Sequence, residues 1–164
     1  MKTLKFVTII LCIASLQYAY SQTELNWNII YKLTNVHSIS IGDVPGHTIG
    51  SAEGTGLGFL SDNKPAVMNG SFTFDYINGS GSYTAYYSLT FDDGSAFTIK
   101  CNATADYDAS QEKTVFAGEI VYISGKGIYA WISGKGTIKG KRTQVIETGA
   151  AVYLEIISTY ETKK

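Results

Sequence analysis

A short phrase occurs three times in the chain: Ile77-Asn78-Gly79-Ser80-Gly81-Ser82-Tyr83, Ile123-Ser124-Gly125-Lys126-Gly127-Ile128-Tyr129 and Ile132-Ser133-Gly134-Lys135-Gly136-Thr137-Ile138. Glycine reaches positive φ without a Cβ penalty, so Gly-x-Gly between β-branched and aromatic residues predicts a reversal between strands that share a core. All three copies are expected as turns of an all-β protein. A phosphate-cradling Gly-x-Gly would need a helix opening directly after the loop, with its N–H groups aimed at the anion. No copy is followed by helical periodicity, which argues against a nucleotide site.

The first residues predict the compartment. Lys2 and Lys5 form a basic start, Phe6 to Leu16 an apolar run, and Ala19-Tyr20-Ser21 a small-x-small site before Gln22. Residues 1–21 are therefore expected to be a cleaved signal peptide, and residues 22–164 a single domain that is secreted or periplasmic. Leu11 stands where a small residue would precede a lipidated Cys12, which argues against a lipoprotein. No later stretch approaches the ~20 continuous apolar residues of a spanning helix, so no membrane insertion of the mature chain is expected.

The remaining roughly 143 residues suit one core. Only Cys101 stays in that part, so no internal disulfide staples it. A net charge of −1 and a pI near 6.1 give no basic footprint for nucleic acid. Twelve tyrosines against two prolines, with 16% charged residues, describe a strand-rich globular chain rather than a disordered one.

Alternation then locates the strands. Leu25, Trp27, Ile29, Tyr31 and Leu33 share one face, opposite Glu24, Asn26, Asn28 and Lys32. The turn-forming residues of 35–47 end this first strand, and a second begins near Thr48. Gly50, Gly54, Gly56 and Gly58 in it predict curvature, a bulge or close approach of another backbone. Phe72, Phe74 and Tyr76 lead through the first repeated phrase into Tyr83, Ala85, Tyr87, Leu89 and Phe91. Asp93-Gly94 reverses the chain into Phe97, Ile99, Cys101, Ala103 and Ala105. Residues 106–113 read as a loop, and 115–123, 128–132, 137–142 and 152–160 as further strands. About eight antiparallel strands close into a single small β-barrel whose lumen fills with side chains or holds one small ligand.

Two stretches resemble the allene oxide cyclase and dirigent-protein barrel superfamily. Ser40-Ile41-Gly42-Asp43-Val44-Pro45, with Ile49-Gly50 and Gly54-Thr55-Gly56 beyond, is similar to its Ser-x-Gly-Asp loop and glycine-bearing second strand. Ile123 to Tyr129, with Gly134 and Gly136, is similar to its late glycine-rich hairpin. The resemblance implies an antiparallel barrel, often trimeric, whose cavity receives an apolar molecule and steers its closure or coupling. Plant cyclases carry a Tyr-Glu-x-Asn element in the first strand. Here the matching residues are Tyr31-Lys32-Leu33-Thr34, and both polar positions are replaced.

Candidate chemistry is sparse. His37, His47 and Asp43 lie in or beside one loop, too few ligands for a metal centre, and read as surface residues. Cys101 with His47 and Asp43 could in principle form a nucleophilic site, but a lone strand cysteine reads as a small core hydrophobe. Glu119 is the candidate acid or base: if the face it shares with Ala117 and Val121 lines the lumen, burial would fit it for proton transfer, and otherwise it is solvated. Asp75 reads as exposed. Trp27, Tyr31, Tyr83, Tyr87 and Tyr129 are expected around a ligand cavity, or else as core. Asn69, Asn78 and Asn102 match the glycosylation pattern. Lys126, Lys135, Lys139, Lys141 and Arg142 read as a solvated basic face.

These readings predict an exported barrel that binds a small apolar molecule, without metal or cofactor, and is possible as a cofactor-free isomerase or cyclase and as a homo-oligomer, a trimer by resemblance. The alternative is a non-enzymatic structural or interaction protein with a filled barrel.

Overall fold

A computed structural model describes residues 22–143, 146 and 151–162; the expected signal peptide lies outside the described residues. The strands are β1 (Thr23–Ser40), β2 (His47–Leu60), β3 (Pro65–Ile77), β4 (Ser80–Thr90), β5 (Ala96–Asp108), β6 (Lys113–Lys126), β7 (Ser133–Arg142) and β8 (Ala151–Glu161). Each pairs antiparallel with its neighbours in sequence, and β8 returns to β1, so the sheet closes as an all-β barrel.

Strict alternation explains the closure. In β3 every second residue from Ala66 to Tyr76 is buried and its neighbours are exposed, and β1 does the same from Leu25 to Leu33. An eight-stranded barrel is just wide enough for such side chains to fill it. The glycines of β2 and β3 then make room for the largest of them. A Cβ on Gly54 would lie 2.7 Å from the Tyr31 ring, and one on Gly70 would lie 2.7 Å from the Phe72 ring. Those two rings stack on each other at 5.4 Å. The glycine-rich second strand is thus the sequence trace of close approach.

The structure corrects the repeated phrase. The first copy is a hairpin as expected: Asn78 and Gly79 have φ of 51° and 82°, the mirror-image turn that matches strand twist. The second copy runs to the end of β6, where Gly127 opens a single 3-10 turn (Gly127–Tyr129) in place of the expected strand over 128–132. The third copy is no turn. It lies inside β7, where a Cβ on Gly134 or Gly136 would strike the β8 backbone. There glycine serves strand approach, not reversal.

The first strand is also longer than its pattern. Alternation stops at Thr34 because the register shifts between Thr34 and His37, yet pairing with β2 continues to Ser40↔Thr48. A bulge of this kind breaks the period-2 signal while leaving the ladder intact beyond it. Asn35, within the bulge, has φ of 48°.

Candidate functional site

Inside the barrel, aromatic rings pack in groups toward either end. Toward the β3–β4 turn, Tyr31, Phe72 and Tyr87 meet at 5.4–6.0 Å, and Tyr83 packs edge-on to Phe116 at 5.6 Å. Toward the β6–β7 connection, Phe97 receives Trp27 at 5.5 Å and Tyr129 at 5.0 Å. Trp27, Tyr31, Tyr83, Tyr87 and Tyr129 are all buried: Trp27 and Tyr129 pack on Phe97, Tyr87 packs on Tyr31, and Tyr31 and Tyr83 line one small cavity. The interior cavity near Tyr31, Tyr83 and Arg142 measures ≈ 20 Å³, about the room one water needs.

The interior polar groups are few. Tyr122 donates to Ser158 Oγ at 2.8 Å, because the Ser158 hydroxyl already donates to the Leu25 carbonyl at 3.0 Å. Arg142 donates from Nη2 to Thr114 Oγ1 at 3.2 Å and lies 5.6 Å from the Phe116 ring. Both Arg142 and Thr114 are buried. Arg142 therefore does not belong to the solvated basic face: Lys139 and Lys141 point outward, and alternation with Ile138 turns Arg142 in. The same parity was available in the sequence. Two interior groups have no hydrogen-bond partner among the described residues, the Trp27 indole N–H and the Tyr87 hydroxyl. The Tyr31 phenol influences Tyr87 without reaching hydrogen-bond geometry.

Burial dominates the ionisation of these groups, since a low-dielectric interior penalises the charged form. It pushes Tyr76 and Cys101 up to about 12, and raises Tyr31, Tyr83 and Tyr87 as well. These phenols and the thiol are thus neutral at ordinary pH. Cys101 faces the core at 0% exposure, and the structure does not bring it to His47 or Asp43.

Glu119 lies on the outer face of β6 and is exposed, with Ala117 and Val121 beside it. The face it shares does not line the lumen.

His47, Asp43 and Asp75 do come together, at the outer mouth of the β1–β2 loop. His47 Nδ1 lies 2.5 Å from Asp43 Oδ1 and Nε2 lies 2.9 Å from Asp75 Oδ1. Asp43 also accepts from the Val44 N–H at 2.7 Å. Hydrogen bonding of its ring to Asp43 and then to Asp75 raises the His47 pKa, and the same bond to His47 lowers that of Asp43. Sequence spacing showed Asp43 beside His47, but Asp75 arrives only through the register His47↔Ile77 and Ile49↔Asp75. His37 lies elsewhere, opposite Ser51. Among the described residues no three His, Cys, Asp or Glu side chains, these included, are arranged to hold a metal ion.

Larger concavities lie outside. One of ≈ 590 Å³ runs over β6, β7, β8 and β1 beside Ile30, Val115 and Tyr153, and one of ≈ 440 Å³ lies over β1 to β4.

No protein-family model and no curated protein sequence matches the chain. Among solved structures it is similar to the pterocarpan synthase dirigent protein GePTS1, at 15% identity and a TM-score of 0.51, over 96% of this chain and 100% of that one. The pterocarpan synthase dirigent protein PsPTS1 aligns over 88% and 97%, at 15% identity and a TM-score of 0.47. The chain has the dirigent-type barrel fold that its loop and hairpin motifs resemble.

Proposed function

We propose that this protein is an exported, dirigent-like barrel that acts as an interaction module, with its lumen filled by its own side chains and its outer face used for assembly. The observation that carries the reading is the ≈ 20 Å³ interior cavity, set against the ~300–1,000 Å³ of pockets that enclose drug-sized ligands. Export rests on the basic start, apolar run and small-x-small site of residues 1–21.

Assembly rests on register. Val67, Leu57, Ile30 and Tyr153 are direct cross-strand neighbours on β3, β2, β1 and β8, and Lys141 joins them to Val115. The five apolar residues of this row are 42–51% exposed. Single exposed apolar residues need no explanation, but a contiguous row suits a protein interface. A second copy of the chain is the proposed partner.

The competing reading is a lumenal ligand, as in a cofactor-free isomerase or cyclase. The unpartnered Tyr87 hydroxyl and Trp27 N–H favour it, because buried polar groups ordinarily have partners. Native mass spectrometry of the mature protein, purified from its own host, separates the two. Oligomers of bare subunits support assembly around a filled barrel. A reproducible small mass released on denaturation overturns it in favour of the lumenal ligand, and bare monomers overturn the assembly.

A further inference from the structure

The ≈ 440 Å³ concavity over β1 to β4 has a chemistry distinct from the apolar row and from the lumen. Its wall is built by register mainly from hydroxyl and carboxylate side chains, with Asn35 and His37 at the β1 edge. Ser51 lies opposite Thr73, which lies opposite Thr84; Glu53 lies opposite Ser71, which lies opposite Tyr86. Strand geometry spaces such neighbours about 5 Å apart across strands and about 7 Å apart along them, a lattice on the scale of a pyranose ring.

The β1 bulge completes the wall. By shifting register between Thr34 and His37 it frees Asn35 from the ladder, and Asn35 adopts φ of 48°. In that conformation its Nδ2 donates to Glu53 Oε2 at 2.6 Å. Glu53 Oε1 and the side-chain Oδ1 of Asn35 keep no side-chain partner among the described residues. Bulges re-aim side chains beside functional sites, and a left-handed non-glycine residue is a cost that a site can explain. Opposite, Tyr86 is 43% exposed, and Lys100 lies 6.0 Å from its ring centroid.

We propose that this groove binds a neutral saccharide. A carboxylate and an amide sharing one hydrogen bond offer paired acceptors to vicinal hydroxyls, and hydroxyl side chains can donate or accept as a sugar requires. Tyr86, 43% exposed, offers apolar ring surface for the C–H face of the sugar. No lysine or arginine lines the groove, whose lining holds one imidazole, His37, and one carboxylate, Glu53, and that carboxylate disfavours anionic sugars. The proposal does not depend on the assembly reading, since the apolar row lies on different residues.

Saturation-transfer NMR on the mature protein, with cellobiose, maltose, lactose and methyl α-mannoside as probes and galacturonate as the anionic control, tests it. At least one neutral sugar is expected to bind with a Kd on the order of 1 mM. Glu53→Gln and Tyr86→Ala should each weaken that binding about tenfold or more while the melting temperature and subunit count hold. Silence from all four neutral sugars overturns the site, as does galacturonate binding equally well. Binding that survives both substitutions places the sugar elsewhere and also overturns it. The subunit count, read on the same samples, reports separately on assembly.

Discussion

Replacing Tyr87 by Phe tests whether the barrel interior is complete as it stands. The Tyr87 side chain is 0% exposed and its hydroxyl has no hydrogen-bond partner among the described residues. A buried hydroxyl left unpaired costs about 1–3 kcal/mol of desolvation. Phe preserves the ring and its contacts with Tyr31 and Phe72 at 6.0 and 5.4 Å, so the substitution opens only the space of one oxygen. Loss of the weak attraction to Tyr31 offsets part of the gain, leaving a net stabilisation of about 1 kcal/mol. For a domain of this size that raises the melting temperature by about 3–5 °C. Tyr122→Phe is the matched control. It removes the 2.8 Å bond to Ser158 and should cost about 1 kcal/mol, lowering the midpoint by a similar amount. Calorimetry of the three proteins at one pH gives the comparison. If Tyr87→Phe is destabilised as much as Tyr122→Phe, the Tyr87 hydroxyl has a partner in solution, a buried water or a lumenal ligand, and the filled-barrel reasoning is refuted.

Three further expectations follow from other parts of the molecule. The His47 pKa is raised above its unfolded value, so the stability it contributes through Asp43 and Asp75 is fully present below an unfolded pKa near 6.5 and is lost as pH rises through the folded pKa. The gap in melting temperature between wild type and His47→Gln should therefore shrink from pH 5 to pH 9, and a gap that widens would reverse the assignment. Cys101, buried and pushed up to about 12, should resist iodoacetamide in the native protein and react only at the rate of unfolding; prompt native labelling would remove it from the core. Trp131 has φ of 61° and is 76% exposed, so Trp131→Gly should relieve backbone strain and stabilise by about 0.5–1 kcal/mol after the extra chain entropy of glycine. A lower denaturant midpoint in that variant would mean the indole packs in solution.

Parity was the legible part of this sequence. Leu25 to Leu33 and Ala66 to Tyr76 assign inside and outside residue by residue, and the structure follows them. Glycine was less legible because two physical causes leave the same letter. At Asn78-Gly79 it marks a positive-φ turn, whereas at Gly136 it marks approach to the β8 backbone, with a built Cβ only 2.3 Å from the Ile157 carbonyl. The surrounding phrase is nearly identical, so local pattern could not separate a reversal from a pairing. The bulge at Thr34/His37 was hidden for a related reason. It deletes the alternation by which a strand is recognised, and Asn35 to Ser40 then resembles a loop.

The candidate sites show where parity stops helping. It places Arg142 inside and Glu119 outside, which settles which of the two meets the lumen. It does not say which outward residues meet each other, because that depends on the stagger between strands. Asp75 reaches His47, and Tyr86 lines up with Ser71 and Glu53, only once the β2–β3 and β3–β4 registers are known. Those registers are set by the inward aromatic residues: Gly50 sits opposite Phe74 and Gly70 opposite Tyr87, and a slip of one residue would drive ring against backbone or turn the core outward. The packed interior therefore does more than stabilise the barrel. By fixing the stagger, it composes the outer surface, and a core substitution that shifts register would dismantle the histidine clamp and the polar groove together.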